Sequence, residues 1–420
     1  MLQQLSSTSP SETTIVSNDC EKAEDTAQTD DLEFPEGGLQ GWSTVIGAMI
    51  FQFCSFGYTN AYAVYQDYYA RIYIRNASPS AIAWIGSTNG FLVISSGVFV
   101  GMLYDRGYFY HLLYGGSFLM SFCLFMLSIT QSDHFYQVFL VQGIGLGIGA
   151  GLTYVPSVAV VSHYFQKKRP LAMTLVVAGS SIGAVVHPIM LNNLLERLSF
   201  RQAVGISAGM ITLLLVLACL ITRPRLPPPK AKAALFPSIR RFYSEPAYTL
   251  LSIGGFMLML GFYFPLFYFQ LDVIKHGLDP RFALYAIVIL NGAGVLGRII
   301  PGFFAHSLGV LNMVVASAVG CTVFIFMMMT IKTALSVVMI AILYGFFSGA
   351  FITLQIPLIA IMTKDLSELG LRIGVCYAVS SFGTLIGPPI HGALLTNQFV
   401  WWQPEIFSGC LTSDDTNSPE

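Results

Sequence analysis

Arg298 stands inside a long apolar stretch, with no aspartate or glutamate within two helical turns on either side. Charged side chains at membrane depth are rare, face a bundle interior or a water-filled cavity, and mark ligand sites by default. A guanidinium presents a planar fork of N–H donors that fits a carboxylate bidentately, so the chemistry indicated is anion binding rather than bond making. A structural reading competes with it, because an arginine about two turns from its helix end can extend along its stem to the polar interface.

Asn60, Tyr154, Tyr263, Asn291 and Gln355 also interrupt apolar segments. Each can hydrogen-bond a solute, and each can equally bond a neighbouring helix for about a kilocalorie or less. His187 reads as a packed histidine rather than a proton relay. Gly179-Ser-Ser181-Ile-Gly183 fits the G-x-S-x-G hydrolase pattern, yet it lies in an apolar helix and not at a strand-to-helix turn. The glycines at 143, 145, 147, 149 and 151 follow no strand, so they read as close helix contact and not as a phosphate loop. No lysine follows a glycine anywhere, which removes the nucleotide-binding P-loop and ATP-driven transport by this chain alone. No catalytic, metal or cofactor constellation is present, and an enzyme is not expected.

Gly101-Met-Leu-Tyr-Asp105-Arg106-Gly107 carries an acid and an arginine in a short turn. Such a pair can bond to neighbouring helix ends and latch two helices together, or it can be a solvated turn.

The elements that must hold these residues follow from composition. Hydrophobic residues make up 54% of the 420, and charged residues 10% against about a quarter in soluble domains. Such a chain needs a lipid bilayer around it. A net charge of −1 suggests no nucleic-acid partner. Seven scattered cysteines with no C-x-x-C pair argue against disulfide frameworks and zinc sites. Only helices or closed barrels satisfy the backbone in lipid, and about 20 helical residues cross it. Apolar runs of that length, without strand-like alternation, predict spans at 41–66, 81–104, 109–129, 135–161, 170–194, 202–222, 247–270, 282–304, 308–330, 334–362 and 372–395.

A twelfth span begins near Phe399 and gives way within about a dozen residues to a polar tail, so about 11 complete spans are expected, with the C-terminus on the outer side. Basic residues concentrate in alternate loops, at Arg106, Lys167 to Arg169, Arg223 to Arg241 and Lys364 to Arg372, which places the N-terminus in the cytoplasm.

Residues 1–40 read as a disordered acidic cytoplasmic tail, 41–222 as a six-helix bundle and 223–246 as a Pro-rich basic linker. Residues 247–410 read as a second bundle with an incomplete last helix, and 411–420 as a polar tail. Shifting the chain by 200 superposes Ala178, Ser180, Ser181, Gly183 and Pro188 on Ala378, Ser380, Ser381, Gly383 and Pro388, and a shift of 201 carries Gly101 to Gly302 and Pro156 to Pro357. The halves therefore read as a parallel repeat facing across a midplane site.

The Asp105-Arg106 turn resembles the G-x-x-x-D-R-x-G core of the major facilitator superfamily. Three further stretches are similar to the monocarboxylate transporter family in its fungal branch: Pro35-Glu36-Gly37-Gly38-Leu39-Gln40-Gly41-Trp42, Tyr164 to Met173 followed by Ala178 to Gly183, and Gly297-Arg298-Ile-Ile-Pro301-Gly302. The resemblance implies an all-α membrane protein of two six-helix bundles in pseudo-two-fold repeat, with the twelfth helix cut short. It also implies that Arg298 stands where that family's substrate-binding arginine does. Asn60 and Gly294 replace the lysine and aspartate that couple protons and substrate in animal members, and His306 stands at the second-half counterpart of Asp105.

The expected function is secondary active or facilitative transport of a small organic solute, a monocarboxylate or other organic anion, by alternating access. The substrate site is drawn from Arg298, Asn60, Asn291, Tyr154, Tyr263 and Gln355, and the latch from Gly101, Asp105, Arg106 and Gly107. A carrier of riboflavin or another metabolite, and a transporter-like sensor that binds without moving its ligand, remain alternatives. The expected partners are the small-molecule substrate, a proton as candidate coupling ion, and lipid. The expected form is a monomer in the plasma membrane, with an organelle membrane as the alternative.

Overall fold

The computed structural model describes residues 37–165, 169–225, 235–363, 369–395 and 401–413, and these form helices joined by short turns, with no strand among them. Most of the expected acidic tail, residues 1–36, lies outside the described residues. Ten of the described helices are long and apolar enough to cross a membrane.

The first expected span, 41–66, is not among these ten, because α1 is assembled from shorter pieces, Gly38–Cys54, Phe56–Thr59, Tyr62–Tyr68 and a π turn over Tyr69–Tyr73. Its breaks have local causes. The Ser55 hydroxyl donates to the Phe51 carbonyl at 2.7 Å, and the Asn60 amide donates to that of Phe56 at 2.8 Å. Side chains that compete for backbone carbonyls bend helices.

Helix α2 runs from Pro79–Ser95 into Gly97–Asp105, started by Ser78, whose hydroxyl accepts from the Ala81 N–H, with Pro79 at the first helical position. Then come α3 (Phe109–Ser128), α4 (Phe135–His163), α5 (Arg169–Arg197) and α6 (Phe200–Ile221). Residues 226–234, within the expected linker, are outside the described set, and a short helix Leu235–Phe242 follows them. The second half continues with α7 (Pro246–Lys275), α8 (Pro280–Leu308), α9 (Val310–Met328), α10 (Ala334–Met362), α11 (Leu369–Leu395) and α12 (Trp402–Ser413). At 1.5 Å per residue the 12 residues of α12 extend about 18 Å, short of the ~30 Å core.

Within the first half α5 packs on α1, and within the second α8 packs on α10 and α7 on α11. The halves meet where α2 lies on α11, α5 on α8 and the later part of α1 on α7. At the end carrying the residue-76 loop they touch through Tyr62 and Phe267, ring centroids 5.1 Å apart, and through the Ser80 hydroxyl on the Pro389 carbonyl at 2.7 Å.

Phe242 of the short helix is fully buried with Tyr248, Ile359 and Cys376. The Arg372 guanidinium lies 4.4 Å from the Phe242 ring centroid and forks onto Glu245 with bonds of 2.7 and 2.6 Å. The Arg372 side chain is 4% exposed and that of Glu245 38%, so the two partners are not equivalent. Removing the carboxylate strands a buried cation, whereas removing the cation leaves a carboxylate that water reaches. Glu245→Ala is expected to cost about 3 kcal/mol, and Arg372→Met clearly less. Thermal unfolding in detergent checks the order, and equal costs would contradict it.

Just past α7, His276 Nδ1 lies 2.9 Å from the buried Asp272 carboxylate, which raises the imidazole pKa to about 9. A raised folded pKa contributes stability that is complete below the ordinary value near 6.5 and is lost as pH climbs through 9. Thermal stability should therefore fall over that window, and His276→Gln should flatten the fall. An unchanged pH slope in the variant would remove His276 as its source.

Candidate functional site

Two glycine contacts fix the walls of a central cleft. On α5, a Cβ at Gly179 would strike the Met49 carbonyl of α1, and one at Gly183 would strike Phe53 and Gly57. On α8, a Cβ at Gly297 would strike the Phe346 carbonyl of α10, while Gly345 and Gly349 sit as tightly against Leu290 and Gly294. With backbones this close, the residues beside those glycines are directed into the space between the halves.

The cleft is lined on α1 by Phe56 and Asn60, on α5 by Ser181 and Ala184, and on α7 by Phe262, Tyr263 and Leu266. From α8 come Leu290, Asn291, Gly294 and Arg298, and from α10 Ser348, Gly349 and Ile352. It has about 450 Å³ of atom-free space out to its mouth, but its interior has room for only a few waters in this conformation.

Arg298, Asn60, Asn291 and Tyr263, expected from sequence, all reach this cleft. Tyr154 does not line it but packs on Phe56 at 5.7 Å between ring centroids. Gln355 is buried one turn beyond Ile352 and does not line the cleft. The side-chain amides of Asn60 and Asn291 each donate back to their own helix, to Phe56 at 2.8 Å and Ile287 at 3.1 Å, which leaves their oxygens as acceptors.

Arg298 Nη1 donates to Ser181 Oγ at 2.7 Å and Ser180 Oγ at 3.3 Å, across from α8 to α5. Its Nε is buried with no hydrogen-bond partner, and among the described residues no carboxylate lies within 4 Å of the guanidinium. A cation drawn partly out of water without a counter-charge is costly, and an incoming anion relieves that cost. The two serines were read from sequence as packing residues only. The repeat carried a usable signal, because a shift of 201 puts Gly97 opposite Arg298 and leaves the second serine pair without a cation. There Ser380 and Ser381 bond back to Cys376 and Ala378 of their own helix. His187 is fully buried, with Nε2 3.1 Å from the Phe53 carbonyl, the setting of a packed histidine.

At the residue-106 turn, Gly107 takes φ +88°, with its N–H on the Tyr104 carbonyl and that of Tyr108 on Leu103. This left-handed cap ends α2 and explains the glycine without a latch. The Arg106 side chain is exposed and makes no hydrogen bond or ion pair among the described residues, and a Cβ on Gly101 would meet nothing within 4 Å. The side chains of Asp105 and His306 lie outside the described residues.

A family model described as Major Facilitator Superfamily matches residues 44–366. An MFS-type transporter of an Ophiocordyceps species is 38% identical over 389 residues, covering 91% of this chain and 85% of the relative. An aspyridones efflux protein of Emericella nidulans is also 38% identical, over 379 residues, covering 90% of this chain and 76% of the relative. Among solved structures, a D-xylose–proton symporter superposes with a TM-score of 0.72 at 13% identity, covering 90% of this chain and 98% of that one.

Proposed function

The chain belongs to the major facilitator superfamily, a transporter of a small solute and not an enzyme, and from that membership we propose that it exports an amphipathic organic acid by alternating access. The observation that carries the proposal is Arg298, a half-buried guanidinium with a buried, unpartnered Nε and no carboxylate partner among the described residues, facing a cleft that Phe56, Phe262, Leu266, Leu290 and Ile352 also line. One cationic point beside an apolar wall suits a solute with one anionic group and a hydrocarbon body. The name of the aspyridones efflux relative supports export of a secondary metabolite rather than uptake of a nutrient.

In this proposal Asn60, Asn291 and Tyr263 complete the polar end, and Tyr154 and Gln355 support it from behind. The bundles 41–222 and 247–410 rock about the cleft, with the residue-106 turn in the cytoplasm as part of an inner latch. The proposal takes the N-terminus to be cytoplasmic, which the basic residues of alternate loops support, and the membrane to be the plasma membrane.

Labelled octanoate, a carboxylate with an apolar tail, tests the function in proteoliposomes. Counterflow and saturable binding are expected together. Binding without flux would replace the transporter by a sensor, and neither binding nor flux would defeat the anion reading.

A further inference from the structure

We propose that Ser180 and Ser181 are positioning residues that, from the opposite half, fix which edge of Arg298 is offered to the substrate. The inference rests on the anion-binding reading of Arg298 and makes it specific. A guanidinium has two ways to fork onto a carboxylate: end-on through Nη1 and Nη2, or side-on through Nε and Nη2. Here Nη1 is already committed to two hydroxyls, at 2.7 and 3.3 Å, while Nε has no partner. The end-on fork is thus occupied at one tine, and the side-on edge is the one left to bind.

The serines suit this role chemically. Ser180 Oγ donates its own proton to the Val177 carbonyl at 2.7 Å, so its lone pairs face Arg298 as an acceptor. A neutral acceptor orients the guanidinium without cancelling its charge, which a carboxylate would do. The equivalent serines of α11 also bond to their own helix, but meet no cation among the described residues. The small-residue pair is therefore a packing feature of both halves, and only the copy facing Arg298 has acquired a ligand-directing use. A carboxylate and a sulfonate can both set two oxygens on the side-on edge, but the carboxylate is the more basic acceptor and leaves no third oxygen to be desolvated in the cleft. The substrate class is then a carboxylate with an apolar body, preferred over a sulfonate of equal length.

Equilibrium binding of octanoate and octane-1-sulfonate to purified protein tests this, beside thermal unfolding of each variant. The wild type should bind octanoate more tightly. Ser180→Ala/Ser181→Ala should raise the octanoate Kd about tenfold and narrow the preference over the sulfonate. Ser181→Thr, which keeps the hydroxyl, should restore most of both relative to Ser181→Ala. A merely structural role would lower the unfolding temperature and leave the carboxylate preference intact, which would overturn the inference. If Arg298→Gln abolishes octanoate binding while the double alanine leaves Kd and preference unchanged, the positioning role fails and the anion site stands. If Arg298→Gln leaves binding unchanged, the anion site fails and takes the inference with it.

Discussion

Arg298→Gln is expected to lower octanoate flux by about a hundredfold or more while leaving the protein at least as stable as the wild type. The two halves of that expectation have one cause. Arg298 lies between α8 and α5 with two hydroxyls for partners and no carboxylate within 4 Å among the described residues. Burying that charge costs the folded state, so a neutral amide of similar length relieves the cost. The same charge supplies hydrogen bonds to an anionic substrate, each stronger than a neutral one. Arg298→Lys keeps the charge but not the fork, and about a tenfold loss is expected. Flux at matched reconstitution levels, with unfolding temperature measured on the same preparations, checks both. Wild-type flux in Arg298→Gln would remove the residue from the site, and a collapsed unfolding temperature would make it a structural cation.

How much of this was legible in the sequence depends on the range of the physics involved. The spans were legible because lipid imposes a length and an apolar composition on each one separately: 334–362 was expected and α10 is Ala334–Met362. Helix ends were less so, since α7 runs to Lys275 rather than 270, prolonged by a buried Asp272 beside His276 that hydropathy penalises. Arg298 was legible because a lone charge in an apolar run has few innocent explanations. Asn60, Asn291 and Tyr263 reach the cleft beside it, whereas Gln355 does not line it. A polar residue in a span announces only that it needs a partner, and helix rotation decides which one. The serine partners of Arg298 were harder to read: the repeat sets one serine pair apart from the other, but 117 and 118 positions separate that pair from Arg298, and only packing of α5 on α8 brings them together. The breaks in α1 arise from side-chain bonds of Ser55 and Asn60, which no composition window detects.

The glycines of α8 and α10 bring these two helices into close contact, and that geometry has a measurable consequence. Inside a bilayer no hydrophobic force drives helices together, so close backbone approach and the van der Waals contact it allows carry the association. The α8–α10 contact is such an approach, with Gly349 against the Gly294 carbonyl, Gly345 against that of Leu290 and Gly297 against that of Phe346. A Cβ at any of the three would fall on backbone, which cannot rotate away as a side chain can. Gly349→Val is therefore expected to push the helices apart, at a cost above the ~1–3 kcal/mol typical of overpacking. The displacement reaches the cleft, because Gly294 and Arg298 line it from the helix that would move. Octanoate binding should weaken in whatever fraction still folds. Gly292, also on α8, gives the control, since a Cβ there meets nothing within 4 Å and Gly292→Ala should gain helix propensity of about 1 kcal/mol. Unfolding temperature in detergent, with octanoate Kd on the folded fraction, reads both substitutions. If Gly349→Val unfolds no earlier than Gly292→Ala, the close α8–α10 contact does not hold the cleft in shape.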